Sequence, residues 1–581
     1  MKKILNIGVC ISAIVLLGLS SCSKMLEAEG THDLFDKELT EKTDSMFMAY
    51  GIMQCLQQLA DQYVVIGEMC GDLADTTAYS SEHLRRLYDF SAGTENKYDS
   101  AYTYYAVVNN CNYYIAHRNP EIYTGSTNVA INEYAAVHAI RAWAYLMLAR
   151  IYGTVPFFTE PLTTISQIDD NSYPKYNIRQ IVDQLAPDLV KYSGLAVPNY
   201  GQIDCGSTNF GQSKTAQSRL CFIPVDVILG EMYLETEQYE QAALYYTKYI
   251  VNNKIGTGNR IADFSQQWTN VERPHNFYSV SGNQWSSFFG RNATDDIISY
   301  IPMSVNRIKG TITRVPQLFG YNYYSTSSSA DSLYTDDIEI APSAAYMTLA
   351  DSAWYYYPID QVASSIDSVK MGDMRRASTF QKRNHDADTT LQMRKYNYAN
   401  VILYRNTTVY LHLAEALNRM GYYDIAFAIL KDGVDRNLLS KTYLRPASLE
   451  FLQQAGNLLS AENITIFDAE KGNSKVNFGI HKHGCGYTNG KAYVIESEVA
   501  RYNPVAQTPA DSISAMEEIL CDEYAMEFAF EGTRYFDLMR LARHKNNAQS
   551  GTGNQWLANK LAFKNPQKNL TDENNWYLPL H

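Results

Sequence analysis

Two stretches of this sequence repeat one pattern, and that pattern constrains what scaffold the chain can build. Val227 to Ile250 reads VILGEMYLETEQYEQAALYYTKYI, placing Leu229, Gly230, Tyr233, Tyr239, Ala242 and Tyr246 in the order of a tetratricopeptide unit. Leu229 and Tyr233 share a face of one helix, Ala242 and Tyr246 a face of the next, and small Gly230 and Ala242 let the two approach closely. The order returns, with the same offsets, at Leu413, Ala414, Leu417, Tyr423, Ala426 and Leu430. The expected fold class is mainly α, a tetratricopeptide-like helical repeat scaffold; ordinary amphipathic helices in an all-α domain are the plainer alternative. Because the two units lie far apart in the chain, a long insertion must interrupt the array.

Other segments extend the scaffold. Apolar residues recur at helical spacing from Asp44 to Tyr63, and the glycines of Ile66 to Asp72 predict a loop after that helix. Tyr98 to His117 reads as an unusually aromatic helix, and Glu133 to Tyr152 as another, stopped by Gly153. Between Asn252 and Asn400 the helical period weakens, and Gly, Ser, Asn and Asp multiply around short apolar runs such as Ile297 to Ile301. The expected organisation is N-terminal helical repeats over 22–252, an irregular loop- and short-strand-containing insertion over 253–400, and C-terminal helices over 401–581. Irregular segments carried on a rigid scaffold are where binding groups reside.

Composition narrows the partners. With 49 Lys plus Arg against 62 Asp plus Glu, the net charge is −13, and no basic run follows the first three residues. Nucleic acid, which demands a basic face, is excluded as an expected partner. Tyrosine outnumbers phenylalanine 46 to 21. A tyrosine surface joins flat apolar faces to hydroxyls and suits amphipathic ligands, although Tyr233 and Tyr246 fit helix packing.

Lys2 and Lys3 precede an apolar run from Ile4 to Leu19, followed by Ser20-Ser21-Cys22. The run is shorter than the roughly 20 residues of a membrane span and reads as a secretory signal over 1–21. Small residues in register before Cys22 resemble a bacterial lipobox, which implies lipidation of Cys22 and anchoring through several acyl chains.

Seven cysteines follow Cys22, an odd number without a CxxC pair, and they are expected as buried apolar thiols. His481, His483 and Cys485 in HKHGC have the spacing of three zinc ligands on one strand face, but no fourth ligand accompanies them and glycines flank the cysteine. No metal and no cofactor is expected. Adjacent acids at Asp295-Asp296, Asp336-Asp337 and Glu517-Glu518 do not make a hydrolytic pair, because neighbouring side chains diverge on a helix and alternate across a strand.

The last informative stretch is Ser514 to Arg543, read as one helix on which Glu523, Glu527 and Glu531 share a face with Arg534 and pair with it and Arg540. Gly532 within it predicts a close backbone approach or a kink. The run from Glu527 to Arg540, EFAFEGTRYFDLMR, resembles the signature of the SusD/RagB family of Bacteroidetes outer-membrane lipoproteins, with Tyr524 where the family commonly has arginine. Arg141 to Tyr145, Tyr152-Gly153, Pro156, the segment Tyr410 to Leu430 and the lipobox are similar to the family as well. The resemblance implies a non-catalytic, surface-exposed protein that is lipid-anchored in the outer membrane. Such a protein binds a nutrient, usually a glycan, and passes it to a SusC-like TonB-dependent transporter. A glycoside hydrolase on a helical scaffold, or a protein-interaction scaffold with a peptide ligand, are the competing classes. The expected ligand-binding residues are Tyr98 and Tyr102, beside the aromatic helix, and Trp285, Tyr321 and Tyr323 of the insertion, rings set among Gly, Asn, Gln and Ser.

Overall fold

The computed structural model describes residues 42–168, 172–207, 213–253, 296–304, 311–320, 337–358, 366–370, 372–385, 388–393, 395–396, 400–434, 436–454, 479–486 and 493–580. Its main helices are α1 (Lys42–Met69), α2 (Ala101–His117), α3 (Ile131–Tyr152), α4 (Ile178–Val190), α5 (Val225–Glu235), α6 (Tyr239–Asn253), α7 (Asn406–Arg419), α8 (Tyr423–Lys431), α9 (Pro509–Glu527), α10 (Arg534–Ala548) and α11 (Thr552–Leu561). Every sheet among the described residues is an antiparallel pair of short strands, so the chain is mainly α. From α1 to α6 each of these helices packs on the next.

The two repeat units form the hairpins α5–α6 and α7–α8. A Cβ on Gly230 would lie 2.5 Å from the Tyr246 ring, so the glycine admits that ring against the α5 backbone. Both hairpins turn the same way. In the first, Glu237 N–H donates to Leu234 (3.1 Å) and Gln238 N–H to Tyr233 (2.8 Å); in the second, Gly421 donates to Asn418 (2.9 Å) and Tyr422 to Leu417 (2.8 Å). The pivots, Glu237 at φ 65° and Gly421 at φ 95°, occupy equivalent positions. Despite their separation in the chain, the hairpins stack, α6 against α7. Strand β1 (Ile297–Ile301) pairs with β2 (Val401–Arg405), and β2 runs directly into α7, so the insertion re-enters the array at the seam between neighbouring units.

Two helix boundaries differ from those the sequence predicts. Helix α1 does not stop at Tyr63 but continues through Gly67 to Met69. Gly67 is there for an approach, not a break: a Cβ on it would lie 1.8 Å from the Gly532 carbonyl oxygen. The stretch from Ser514 to Arg543 is two helices, because Phe530 (φ 67°) and Gly532 (φ 92°) take left-handed conformations that reverse the chain between α9 and α10. The Phe530 ring holds its own strained backbone in place, edge-on to Phe319, Tyr346 and Phe380 at centroid distances of 5.7, 5.3 and 5.2 Å. Helix α9 then covers α7 and α8, while α10 returns to α1. Lys564 closes the circuit by donating to the carbonyls of Met69 (2.8 Å) and Ala74 (3.2 Å).

Candidate functional site

Tyr98 and Tyr102 flank the start of α2 and are presented differently. The segment before α2 is pinned by Asn96, which donates to His83 O (2.8 Å) and accepts from Tyr98 N–H (3.1 Å). Gln62 of α1 donates to Ser100 O at 3.1 Å. Tyr102, on the first turn of the helix, is 74% exposed, whereas Tyr98 precedes the helix and is 5% exposed. The Tyr98 hydroxyl nevertheless has no hydrogen-bond partner among the described residues. Burial raises its pKa, and the charges of Asp61 and Glu339 raise it further, so this hydroxyl stays protonated.

The insertion meets the scaffold at this place. Asp61 of α1 accepts the hydroxyl proton of Thr313 and the backbone N–H of Arg314 (2.9 Å), and Gln57 donates to Pro302 O (2.5 Å). Burial raises the Asp61 pKa, and these donors oppose the rise. Glu339 N–H donates to Leu318 O at 2.9 Å, and Thr77 and Ser80 donate to the carbonyls of Ile338 and Glu339, both at 2.5 Å. Lys97 sits 4.7 Å from the Tyr98 ring centroid. An exposed ring, a buried free hydroxyl and charges of both signs therefore border one junction of α1, the start of α2 and the insertion. Trp285, Tyr321 and Tyr323 lie outside the described residues.

The histidine and cysteine motif is engaged by carboxylates. It forms a short helical turn, Lys482–Cys485, in which the His481 ring faces Glu523 (2.7 Å), His483 faces Glu527 (3.2 Å) and the Cys485 thiol faces Asp373 (3.6 Å). Among the described residues no group of three or more His, Cys, Asp or Glu side chains is arranged to hold a metal ion.

Comparison with known proteins bears on this arrangement. Residues 496–581, which contain α9, the left-handed turn and α10, match the model of the SusD family. A SusD superfamily protein from Bacteroides thetaiotaomicron has the same fold (TM-score 0.52, 14% identity), with 92% of this chain and 95% of that chain covered. So does the surface glycan-binding protein A of Bacteroides fluxus (TM-score 0.51, 13% identity, 92% and 94% covered). The fold is SusD-like. The surface glycan-binding protein A of Bacteroides uniformis is similar too (TM-score 0.50, 15% identity, 93% and 94% covered). No curated protein sequence matches the chain.

In the SusD-like fold the signature residues hold the scaffold together, but with other partners than their spacing predicts. Glu531 does not pair with Arg534; it meets Lys395 (2.7 Å) and Arg405 (3.0 Å). Arg405 also reaches Glu527 (2.9 Å) and Asp296 (3.1 Å), and Arg375 joins Asp373, Glu523 and Glu527 at 2.7, 2.6 and 2.8 Å. Arg534 turns away to Asp72 of the loop after α1 (2.6 Å), and Arg540 binds Glu415 of α7 (2.9 Å). The chain reversal at Phe530 and Gly532 is the reason: it sends acids and bases of one supposed face in opposite directions. Burial would raise the Glu527 pKa, but His483 and Arg405 outweigh it and hold that carboxyl well below its usual range; Arg375 and His481 bring Glu523 to about 2 in the same way. For Asp296 burial wins over Arg405, and its pKa rises to about 6. Tyr524, where the family commonly has arginine, donates to Glu415 at 2.5 Å and so joins the same network.

Proposed function

We propose that this chain is a nutrient-binding lipoprotein of the outer-membrane surface that captures a glycan and delivers it to a SusC-like TonB-dependent transporter. The observation that carries this reading is the junction beside α2, where the unpartnered hydroxyl of buried Tyr98 lies near the insertion and Tyr102 is exposed on the first turn of the helix, on a SusD-like scaffold. Aromatic faces stack on sugar C–H surfaces while hydroxyl donors and charged side chains satisfy sugar hydroxyls. Trp285, Tyr321 and Tyr323 are proposed to complete the site. Two similar structures are those of surface glycan-binding proteins, which supports a glycan as the ligand. Anchoring is proposed through acylated Cys22; among the described residues no helix is long and apolar enough to cross a membrane.

Binding is preferred to hydrolysis because two of the acids in the adjacent pairs are tied up in buried ion pairs. Asp296 is buried against Arg405, and Glu517 is buried against Lys545 and Arg419. A hydrolase needs two carboxylates facing each other across an open cleft. Isothermal titration of the mature chain against a glycan library tests the reading. A glycan ligand should bind about 5- to 30-fold more weakly to Tyr102→Ala, with the melting temperature unchanged. Capture of the native lipoprotein should bring down a large TonB-dependent barrel. Peptide binding without glycan binding, or recovery of soluble partners alone, would favour the interaction-scaffold reading.

A further inference from the structure

A second concave surface shares no residue with the Tyr98–Tyr102 junction. It has a cavity volume of about 540 Å³ and lies between the helix Ala344–Ser352 and the end of α11, with Asp72 and Arg534 at its base. That volume falls within the roughly 300–1,000 Å³ of small-ligand sites. Arg534 is neutralised: its guanidinium donates twice to Asp72 (2.6 and 2.9 Å) and once to Cys521 O (2.8 Å), so the pair adds shape and no net charge. Three other lining groups retain binding capacity. The Phe563 ring is 41% exposed, whereas most of the other phenylalanines among the described residues are core. The Lys560 ammonium lies 3.6 Å from Glu518, beyond hydrogen-bond reach. The Asp522 carboxylate, which also lines the groove, meets Tyr502 and Arg501 (3.6 Å) through one and the same oxygen.

We infer that this groove is a second saccharide subsite, in which a pyranose stacks on Phe563 and directs hydroxyls to Asp522 and Lys560. The inference rests on the glycan-binding reading above. One flat ring beside one carboxylate and one ammonium complements a sugar, whose C–H face is apolar and whose hydroxyls both donate and accept. A phosphate or carboxylate ligand would want net positive charge, which Asp72 and Asp522 cancel. An acyl chain would want a longer apolar wall than Phe563, Leu73 and Leu349 supply.

Titration calorimetry of the mature chain with maltohexaose, cellohexaose, xylohexaose and mannohexaose, each to millimolar concentration, tests this. The expected result is two sugars per chain for at least one hexasaccharide. Phe563→Ala and Asp522→Asn should each weaken one of the two sites by about 5- to 30-fold, while Tyr102→Ala weakens the other. Phe563 is exposed enough for its truncation to leave the fold intact, and equal melting temperatures would verify that; Lys560→Met provides an independent variant. Sugar binding that responds to Tyr102→Ala but to none of the three groove variants overturns the subsite and leaves the glycan reading standing. No binding of any hexasaccharide by the wild-type chain overturns both. Groove-dependent binding of trialanine in place of sugar also overturns the subsite.

Discussion

Gly67 and Gly532 meet backbone to backbone, from opposite ends of the chain. A Cβ on Gly67 would come within 1.8 Å of the Gly532 carbonyl oxygen, and one on Gly532 would lie 2.9 Å from Val64 Cα. Glu68 fixes the contact by accepting the Gly532 N–H at 2.7 Å. Neither side can yield by rotating a side chain, so α1 and the left-handed turn would have to separate. Gly67→Ala is therefore expected to cost about 3 kcal/mol or more. Urea denaturation measures this directly, and a loss under about 1 kcal/mol would mean that the two backbones are not in contact.

The turn between α5 and α6 offers the opposite kind of change. Glu237 holds φ 65° where its counterpart in the second hairpin is Gly421, and its ion pair with Arg179 spans 3.6 Å at the surface. A left-handed conformation costs a side-chain-bearing residue about 1–2 kcal/mol, while an exposed ion pair contributes little. After the entropy that glycine adds to the unfolded chain, Glu237→Gly should stabilise the protein by about 0.5–1 kcal/mol. Thermal melting checks it, and a lower melting temperature would show that the strain argument is wrong.

The two hairpins were legible in the sequence because everything that defines them is local: a small residue opposite a large one, spaced by helix turns. The contrast with α9 and α10 is instructive. Glu523, Glu527 and Glu531 have ideal helical spacing, yet a reversal that depends on Phe530 being wedged among Phe319, Tyr346 and Phe380 cannot be read from neighbours. Glycines at Gly67 and Gly532 were visible as departures, but whether a glycine ends a helix or admits another backbone is decided by a partner hundreds of residues away. The candidate site follows the same division. Tyr102 was found as a ring in an aromatic helix, whereas the links from Asp61 to Thr313 and Arg314 join remote segments, as do Asp522, Lys560 and Phe563 to the helix Ala344–Ser352.

Arg405 bridges three buried carboxylates, those of Asp296, Glu527 and Glu531. Glu527 also meets Arg375 and Glu531 also meets Lys395, but the acids outnumber those two cations, so both need the Arg405 charge as well. Arg405→Met is expected to cost about 3–5 kcal/mol, because the lost cation leaves those charges in a dry environment. Arg405→Lys should recover less than half of that loss, since a single ammonium cannot match the fork that reaches all three acids. Equilibrium denaturation of both variants makes the comparison. Full recovery by lysine would show that charge alone matters, and that the forked geometry does not.

His412 lies under α6 and α10, where Glu231, Asp537, Arg540 and Tyr246 all face its ring. Burial lowers its pKa and Arg540 opposes protonation, but Glu231 prevails and carries the value to about 9. A histidine whose folded pKa is raised contributes stability that is complete below its ordinary pKa of about 6.5 and is lost as pH rises through the folded value. The window here is pH 6.5 to 9, and a shift of that size corresponds to at most about 3 kcal/mol. Lys564 works against this trend: burial lowers its pKa to about 8, so the fold favours its neutral form and gains stability as pH rises past that point. The wild-type profile alone therefore mixes two signs, and the informative quantity is its difference from His412→Gln, which keeps a hydrogen-bond donor toward Glu231 but cannot titrate. Stability measured in urea from pH 6 to 9.5 should fall more steeply for the wild type than for the variant, with the two curves converging near the upper end. Parallel curves would show that His412 is neutral in the folded chain and that Arg150, which binds Glu231 at 2.9 Å, balances that carboxylate by itself.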